Sequence, residues 1–134
     1  MNKMEELKEY SELLNLCFPK PPCNVPDLCM DIMGMYPTDF LCIKHDGVMI
    51  AGCLIVIINK GFYGICSIAV HPKYQRQGYG TQLMHMVQDK YSGMFIVRTR
   101  NASGFYLNID YKIVYGDGVH DVMVFVNDKY KVNF

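Results

Sequence analysis

Residues 68–83, which read IAVHPKYQRQGYGTQL, carry the clearest structural signal in the chain. An apolar strand ends at His71, a polar loop follows, and Gly78 and Gly80 stand where an amphipathic helix must begin. Free backbone amides at a helix N-terminus bind anions with help from the helix dipole, and glycine lets a phosphate approach the backbone closely. The pattern therefore predicts a phosphate-binding turn between a strand and a helix.

Two other glycine-loop motifs fit this segment poorly. A nucleotide-hydrolase phosphate loop requires Gly-Lys-Ser/Thr, whereas Gly80 is followed by Thr81 and Gln82. A dinucleotide fingerprint requires a third small residue where Leu83 stands. A helix start whose glycines only permit a tight turn remains an alternative. If the turn binds phosphate, we expect Arg76 and the Thr81 hydroxyl to add side-chain contacts.

Hydrophobic periodicity divides the rest of the chain into helices and strands. An Asp46-Gly47 pair between apolar runs predicts a hairpin, and the prolines between residues 18 and 26 separate the first two helices. The predicted helices cover 4–14, 27–35, 78–90 and 101–108, and the predicted strands cover 40–45, 48–59, 62–70, 94–97, 112–115 and 121–126. This order predicts a mixed α/β (α+β) fold in a single domain spanning residues 1–134.

Composition excludes several classes of protein. Thirteen basic and 13 acidic residues give a formal net charge of zero, which argues against a nucleic-acid-binding surface. The longest apolar run, 48–58, is too short for a membrane span, and the N-terminus is charged rather than signal-like, so we expect a soluble, cytoplasmic protein without membrane association. The six cysteines lack zinc-site spacing and read as reduced core residues, so no metal is expected.

Residues 70–80, Val-His-Pro followed by a Gln-x-x-Gly-x-Gly pattern, resemble motif A of the GNAT superfamily of N-acetyltransferases. Gln75 occupies the first motif position, and Gly78 and Gly80 occupy the glycine positions. Downstream, Phe105-Tyr106 is similar to the Phe-Tyr pair that ends a helix in this family. The order of elements also fits, so the resemblance covers nearly the whole chain.

The resemblance implies a mixed, mostly antiparallel central sheet with flanking helices and a splayed strand pair that binds acetyl-coenzyme A. It implies acetyl transfer to a primary amine without a metal or a covalent protein intermediate. The pyrophosphate would bind the backbone amides of residues 76–81, and the pantetheine arm would lie between strand 68–70 and strand 94–97. The implied coenzyme contacts are Ile68, Ala69, Val70, Gln75, Arg76, Gln77, Gly78, Tyr79, Gly80, Thr81, Asn101 and Tyr106.

The resemblance also implies two catalytic roles. Tyr106 matches the tyrosine that donates a proton to the departing thiolate, and an amide near Ile68 or Val70 would stabilise the oxyanion. Three positions depart from the family pattern. Cys66 stands where a catalytic glutamate is often found, Asn101 lies two residues closer to the tyrosine than usual, and Asp110 replaces a glycine.

The base and the acceptor are less constrained. Asp27, Asp31, Asp39, His120 and Asp121 are the candidate bases, of which we select Asp27 and His120. Asp27, Asp31 and Asp39 would form an acidic acceptor wall suited to a small cationic amine such as a polyamine. A lysine side chain or an N-terminal peptide amine is the second candidate acceptor.

Two further questions stay open in the sequence. The absent glutamate at Cys66 also fits a non-catalytic protein that binds coenzyme A. The final strand, 122–126, offers an edge that would pair with a second copy, so monomer and homodimer are both compatible with the sequence.

Overall fold

A computed structural model describes residues 3–17 and 31–127. The helices are α1 (Lys3–Cys17), α2 (helical residues 31–35), α3 (Tyr79–Lys90) and α4 (Ser103–Leu107). The strands are β1 (Thr38–His45), β2 (Val48–Asn59), β3 (Phe62–Val70), β4 (Gly93–Arg100), β5 (Lys112–Gly116) and β6 (His120–Asn127). A short 3-10 turn, Pro72–Tyr74, joins β3 to the loop before α3.

The six strands form one sheet in the order β1-β2-β3-β4-β6-β5. Every neighbouring pair is antiparallel except β3 and β4, which are parallel because α3 forms the crossover between them. The predicted mixed α/β fold with a mostly antiparallel sheet is confirmed. Strand β4 continues to Arg100, three residues beyond its predicted end, and α4 is shorter than predicted.

The two faces of the sheet carry separate cores. On one face, which we call the α3 face, Leu83, Met84 and Val87 of α3 and Tyr106 of α4 pack against alternate strand residues such as Phe95. On the other, the α1 face, a smaller cluster joins α1 to β2 and β3; its buried members are Tyr10, Leu13, Leu14, Met49, Leu54 and Ala69. None of the described helices is long and apolar enough to cross a membrane.

Strands β3 and β4 diverge halfway along their length. They pair only from Phe62–Ile65 on β3 with Met94–Val97 on β4. The register between β2 and β3 also shifts at this point, because Leu54 pairs with Ser67 and Ile55 with Ile65, which leaves Cys66 as an extra residue. Such a β-bulge bends a strand and strengthens its twist. The bulge therefore lies where β3 leaves β4, and the splay opens beyond Ile65 and Val97.

Candidate active site

The loop before α3 is shaped by left-handed backbone conformations. Arg76 has φ 63° and Gly78 has φ 88°, so the chain turns sharply into the helix. Gly78 is the N-cap of α3, and no side chain caps the helix. The first amides of an α-helix have no partner within the helix, so these amides are available to an anion. The predicted glycine turn therefore leads into a helix start without a side-chain cap.

The two glycines of the turn are needed for different reasons. A β-carbon on Gly78 would meet nothing within 4 Å, so this position requires glycine for its positive φ and leaves open space outside the turn. A β-carbon on Gly80 would lie 3.2 Å from the Phe105 ring of α4. Gly80 therefore allows the first turn of α3 to pack closely against α4, which carries Tyr106.

The free edge of β3 presents backbone amides to the splay. The amide of His71 donates to the carbonyl of Ile50 on β2, with 2.7 Å between nitrogen and oxygen. Backbone groups of successive strand residues point to opposite edges, so the amides of Ile68 and Val70 point away from β2. Strand β4 pairs with β3 only through Ile65, so neither amide has a strand partner. The splay thus contains the two amides that were predicted as oxyanion donors.

Tyr106 lies in the core between α4 and the sheet, and only 4% of its surface is exposed. Its ring packs edge-on against Phe105 and Tyr111. Burial raises the pKa of the Tyr106 hydroxyl, and the nearby Cys53 thiol and Tyr111 hydroxyl raise it further. The raised pKa keeps the hydroxyl protonated. Among described residues it has no hydrogen-bond partner, so it is available as a donor.

A buried polar network anchors the start of α4. The Ser103 hydroxyl donates to one carboxylate oxygen of Asp121, and the amide of Gly118 donates to the other at 2.9 Å. Thr99 of β4 lies 3.2 Å from the same serine oxygen. Asp121 is 1% exposed, so its carboxylate is a structural group and does not serve as a solvent-facing base, in contrast to its place among the candidate bases.

Three predicted coenzyme residues, Gln75, Gln77 and Asn101, shape the backbone of their own loops. The side-chain amide of Gln75 donates to the Val70 carbonyl at 3.0 Å, and that of Gln77 donates to the Lys73 carbonyl at 3.1 Å. Both glutamines thus stabilise the loop through its own backbone. Asn101 does not open the helix, as was expected, but bends the chain before α4 with φ 58°.

The remaining predicted coenzyme residues cluster around the turn. Tyr79 is half-buried and packs edge-on against Tyr74, and Thr81 lies in the first turn of α3. Ala69 is buried on the α1 face, opposite in orientation to Ile68 and Val70, so its side chain does not line the α3 side of the splay. Arg76 is exposed beside the uncapped helix start.

One member of the predicted acceptor wall, Asp39, is paired within the fold. The Asp39 carboxylate accepts a hydrogen bond from the Lys90 ammonium, with 2.6 Å between nitrogen and oxygen, and another from the Tyr91 hydroxyl. Lys90 and Tyr91 lie at the C-terminal end of α3. Because α3 has 12 residues, this end lies roughly 16 Å from the turn at its N-terminus. Burial opposes ionisation of Asp39, but its bonds to Lys90, Tyr91 and the Phe40 amide outweigh that effect and lower its pKa.

The other acceptor-side predictions differ in their outcomes. Asp27 lies outside the described residues. Asp31 is exposed at the start of the described part of α2. His120 is exposed on β6 directly opposite Arg100 of β4, beyond the point where β3 and β4 separate. Strand β6 pairs with β4 on the side away from β3, so His120 lies one strand beyond the splay, next to the exposed end of β4. Within the described ranges, no cluster of three or more His, Cys, Asp or Glu side chains is arranged for a metal ion.

Sequence reasoning missed two features of this site. The bulge at Cys66 has no local signature, because it depends on which β2 residue pairs with β3. The burial of Asp121 did have a signal, since Asp121 shares its strand parity with apolar Met123, which is fully buried.

The sequence profile of the acetyltransferase (GNAT) family matches residues 7–106. The chain belongs to this family. The match covers the whole segment from α1 through the turn and the splay to Tyr106, and it confirms the predicted family and the prediction of an acetyltransferase. No curated protein sequence matches the chain.

Solved structures of N-acetyltransferases share the fold. The ribosomal-protein-S18-alanine N-acetyltransferase from Escherichia coli superposes with a TM-score of 0.71 at 18% identity, covering 92% of this chain and 87% of that one. The PaiA N-acetyltransferase from Thermoplasma acidophilum, in complex with coenzyme A, has a TM-score of 0.69 at 13% identity, with coverage of 92% and 94%. An aminoglycoside 6'-N-acetyltransferase complexed with coenzyme A has a TM-score of 0.74 at 13% identity, with coverage of 92% and 91%.

Proposed function

We propose that this GNAT protein transfers the acetyl group of acetyl-coenzyme A to a primary amine. The observation that carries the proposal is the splay itself: an unpaired edge of β3 lies beside an uncapped helix N-terminus with open space at Gly78. The first feature suits an extended pantetheine arm and the second suits a pyrophosphate. Structural neighbours that are solved with coenzyme A support the same assignment.

The residues of this chain then have defined roles. Amides of α3's first turn, assisted by Arg76, bind the phosphates, and the amide of Ile68 or Val70 donates to the thioester oxygen. Acetyl-coenzyme A supplies an activated acetyl group, which leaves sulfur as the C–S bond breaks and the C–N bond to the amine forms. Holding the two reactants side by side accounts for much of the acceleration.

Tyr106 is the proposed donor to the departing sulfur. Its raised pKa keeps the phenol protonated, so a hydrogen bond to the thiolate is always available. An ordinary phenol, with a pKa of about 10, is already a weaker acid than an ordinary thiol, whose pKa is about 8.5, and the raised pKa of Tyr106 widens this difference. We therefore infer that Tyr106 stabilises the thiolate chiefly through a strong hydrogen bond, and that the sulfur finally takes its proton from this hydroxyl or from solvent.

His120 is the proposed base that takes the proton from the attacking ammonium. The next residue along β6, Asp121, is buried on the α3 face, and side chains alternate between the faces of a strand. The His120 ring therefore projects from the α1 face, where the end of β4 is also exposed. Its backbone amide donates to Asp117 at 2.8 Å, which holds the start of β6 in place. Substituting His120→Gln should lower kcat while leaving coenzyme A affinity unchanged.

The polyamine prediction depended on an acidic wall, and the structure leaves little of it among the described residues. The Asp39 carboxylate is already neutralised by Lys90. Asp31 is the remaining described member, and it is exposed. A primary amine as the acceptor class does not depend on that wall, so the proposal is made at that level.

The proposal is tested by a charge placed at the turn. We expect Gly78→Asp to weaken coenzyme A binding by at least tenfold in calorimetry, because a carboxylate would face the pyrophosphate. Gly47→Asp is the matched control, since Gly47 also has a positive φ, 79°, and open space at its β-carbon, but lies in the β1–β2 hairpin.

Thiol release is then assayed with putrescine, spermidine, an aminoglycoside and peptides. Coenzyme A binding with no thiol release for any amine would favour the non-catalytic reading. Equal loss of binding in both aspartate variants would refute the phosphate-binding turn.

A further inference from the structure

The α1 face of the sheet is cationic beyond the splay. On β4, Val97 and Thr99 are buried and face α3 and α4. The alternating residues Arg98 and Arg100 are exposed and project from the α1 face. On β5, Lys112 lies directly opposite Val124, which alternates with buried Met123 and so shares this face. Helix α1 packs on β2 and β3, which leaves these three residues exposed.

No carboxylate of the described residues pairs with these three cations. The ion pair between Lys90 and Asp39 lies on the opposite face of the sheet. Nearby Asp121 is buried on the α3 side, and Asp117 is held in the β5–β6 turn by the amides of Val119 and His120. Within residues 3–17 and 31–127, no carboxylate therefore compensates the charge on this face.

Two acidic residues of α1, Glu6 and Glu9, also point at the α1 face. They lie away from the three cations and already accept hydrogen bonds. Glu9 accepts from the Met49 amide at 2.6 Å, and Glu6 accepts from the Cys42 thiol at 3.3 Å. Both contacts are on β1 and β2, on the far side of β3 from the cations. They neutralise none of the charge at the splay.

The cations border the place where an acceptor must enter. Arg98 is the first residue after Val97, the last β4 residue that pairs with β3, so it lies at the vertex of the splay. The α3 face of the vertex is closed by α3 and α4, including the contact between Gly80 and Phe105. If the acetyl group is held in the splay, as the proposed function requires, the amine reaches it from the α1 face and passes Arg98 and Arg100.

We propose that the acceptor is an amine carried by an acidic peptide, whose carboxylates bind Arg98, Arg100 and Lys112. This inference rests on the proposed function and replaces a cationic acceptor with an anionic one. Guanidinium groups bind carboxylates through paired hydrogen bonds, which suits the two arginines.

The spacing of the cations favours a peptide over a single amino acid. The two arginines are on β4 and Lys112 is on β5, two strands away, which is about 10 Å across the sheet. An extended peptide advances about 3.3 Å per residue, so three or more residues are needed to contact all three. Exposed apolar side chains on the same face, Tyr115 at 79% and Val126 at 59%, offer further contact area.

The test compares three matched peptides that each carry one free amine and differ only in having acidic, neutral or basic residues beyond it, with spermidine as a fourth acceptor. We expect kcat/KM to be highest for the acidic peptide by about tenfold or more, mainly through a lower KM. Added salt should reduce this preference, since exposed charge pairs are screened within about 10 Å at 0.1 M salt.

Charge reversal identifies the residues. Arg98→Glu with Arg100→Glu should raise KM for the acidic peptide by at least tenfold, favour the basic peptide and leave coenzyme A affinity unchanged. Lys60→Glu, an exposed substitution in the β2–β3 turn, is the control and should change none of these values.

The outcomes separate this inference from the proposed function. Acetylation of all four acceptors at similar kcat/KM, or a preference for spermidine, overturns the acidic-peptide inference and leaves the acetyltransferase proposal intact. Loss of coenzyme A binding in the double variant would show that the arginines bind the coenzyme, and it would also overturn the inference. Absence of thiol release with every acceptor would instead contradict the proposed function on which it rests.

Discussion

The hydroxyl of Ser103 donates a hydrogen bond to the buried carboxylate of Asp121, with 2.5 Å between the two oxygens. Ser103 is the first residue of α4, and Asp121 lies on β6, so this bond fixes the start of the helix to the sheet. Tyr106 follows three residues later on the same helix. The position of Tyr106, the proposed hydrogen-bond donor to sulfur, therefore depends on the bond between Ser103 and Asp121. From the sequence alone, Asp121 was a candidate catalytic base.

Removing that hydroxyl should destabilise the protein. In Ser103→Ala, the buried carboxylate oxygen loses its donor, which typically costs about 1–3 kcal/mol. Urea unfolding should show this loss, and Ser103→Thr, which retains a hydroxyl, should recover most of it. A change of less than about 0.5 kcal/mol in the alanine variant would contradict the structural role, since surface substitutions lie in that range.

The contact between Gly80 and Phe105 predicts a different effect for each glycine of the turn. Gly80→Ala places a β-carbon 3.2 Å from the ring, so the ring or the helix must shift by a few tenths of an ångström, and this steric cost offsets the gain of about 1 kcal/mol that alanine otherwise gives over glycine within a helix. Replacing the ring in Gly80→Ala/Phe105→Leu should relieve most of that cost in thermal unfolding.

Gly78→Ala should be insensitive to the same second substitution, because its cost comes from φ 88° and its β-carbon meets nothing within 4 Å. Rescue of both variants by Phe105→Leu, or of neither, would show that the two glycines do not play separate roles.

Asp110 occupies a position where this family usually has glycine, and its backbone explains why. Its φ is 72°, a left-handed conformation that costs an L-residue about 1–2 kcal/mol relative to glycine. Glycine relieves this strain but loses more conformational entropy on folding, which offsets part of the gain. We therefore expect Asp110→Gly to increase the free energy of unfolding by up to about 1 kcal/mol. Asn108→Gly is the control, since Asn108 has φ −69° in the same segment and should be destabilised by glycine.

Local patterns predicted the elements of this fold, and long-range pairing decided the details of its site. The strands and α3 follow directly from alternation, helical periodicity and the Asp46-Gly47 turn, and the uncapped turn before α3 follows from glycines at a helix start. The splay was expected from family resemblance, but its vertex is set by the Cys66 bulge, which depends on the register of β2 with β3. No signal within a single strand specifies that register.

Charged residues were the hardest to place, because their roles depend on partners distant in sequence. Asp39 was expected in the acceptor wall but pairs with Lys90, 51 positions later in the chain. Arg98 and Arg100 drew no attention in the sequence, because two arginines in a strand have no motif. They become informative only when the face they project from is known.

The ion pair of Asp39 predicts pH-dependent stability without an effect on catalysis. Its pKa is lowered from an ordinary value of 3.8, so the charged form stabilises the fold at neutral pH. This contribution is present above the ordinary pKa and is lost as the pH falls through the lowered value.

Asp39→Asn should therefore reduce the urea midpoint at pH 7, with a smaller difference near pH 3. The KM for the amine should be unchanged, because Asp39 lies at the far end of α3. The exposed Asp31→Asn variant is the control, and a raised amine KM in Asp39→Asn alone would restore Asp39 to the acceptor site.

Tyr106→Phe tests the proposed role of the phenol at the sulfur. The ring contacts with Phe105 and Tyr111 are retained in phenylalanine, and the hydroxyl has no hydrogen-bond partner among described residues, so stability should change little. We expect kcat to fall by roughly 10- to 100-fold, at the lower end of general-acid contributions, because the raised pKa favours hydrogen bonding over full proton transfer. Coenzyme A affinity in calorimetry should stay within about twofold, because the phosphate-binding turn is untouched.

The pH dependence of the wild-type enzyme gives a second measure of the same group. A raised pKa means that the neutral phenol persists past the ordinary value of about 10, so no loss of kcat from Tyr106 ionisation is expected below that pH. By linkage, the buried neutral phenol also stabilises the fold at all lower pH values, and this contribution is lost as the pH rises above 10. Tyr111→Phe is the matched control, since its hydroxyl is also buried with a raised pKa, lies beside Gln88 and should be dispensable for turnover. An alkaline limb with a midpoint well below pH 10 that disappears in Tyr106→Phe, or full activity in that variant, would remove Tyr106 from the mechanism.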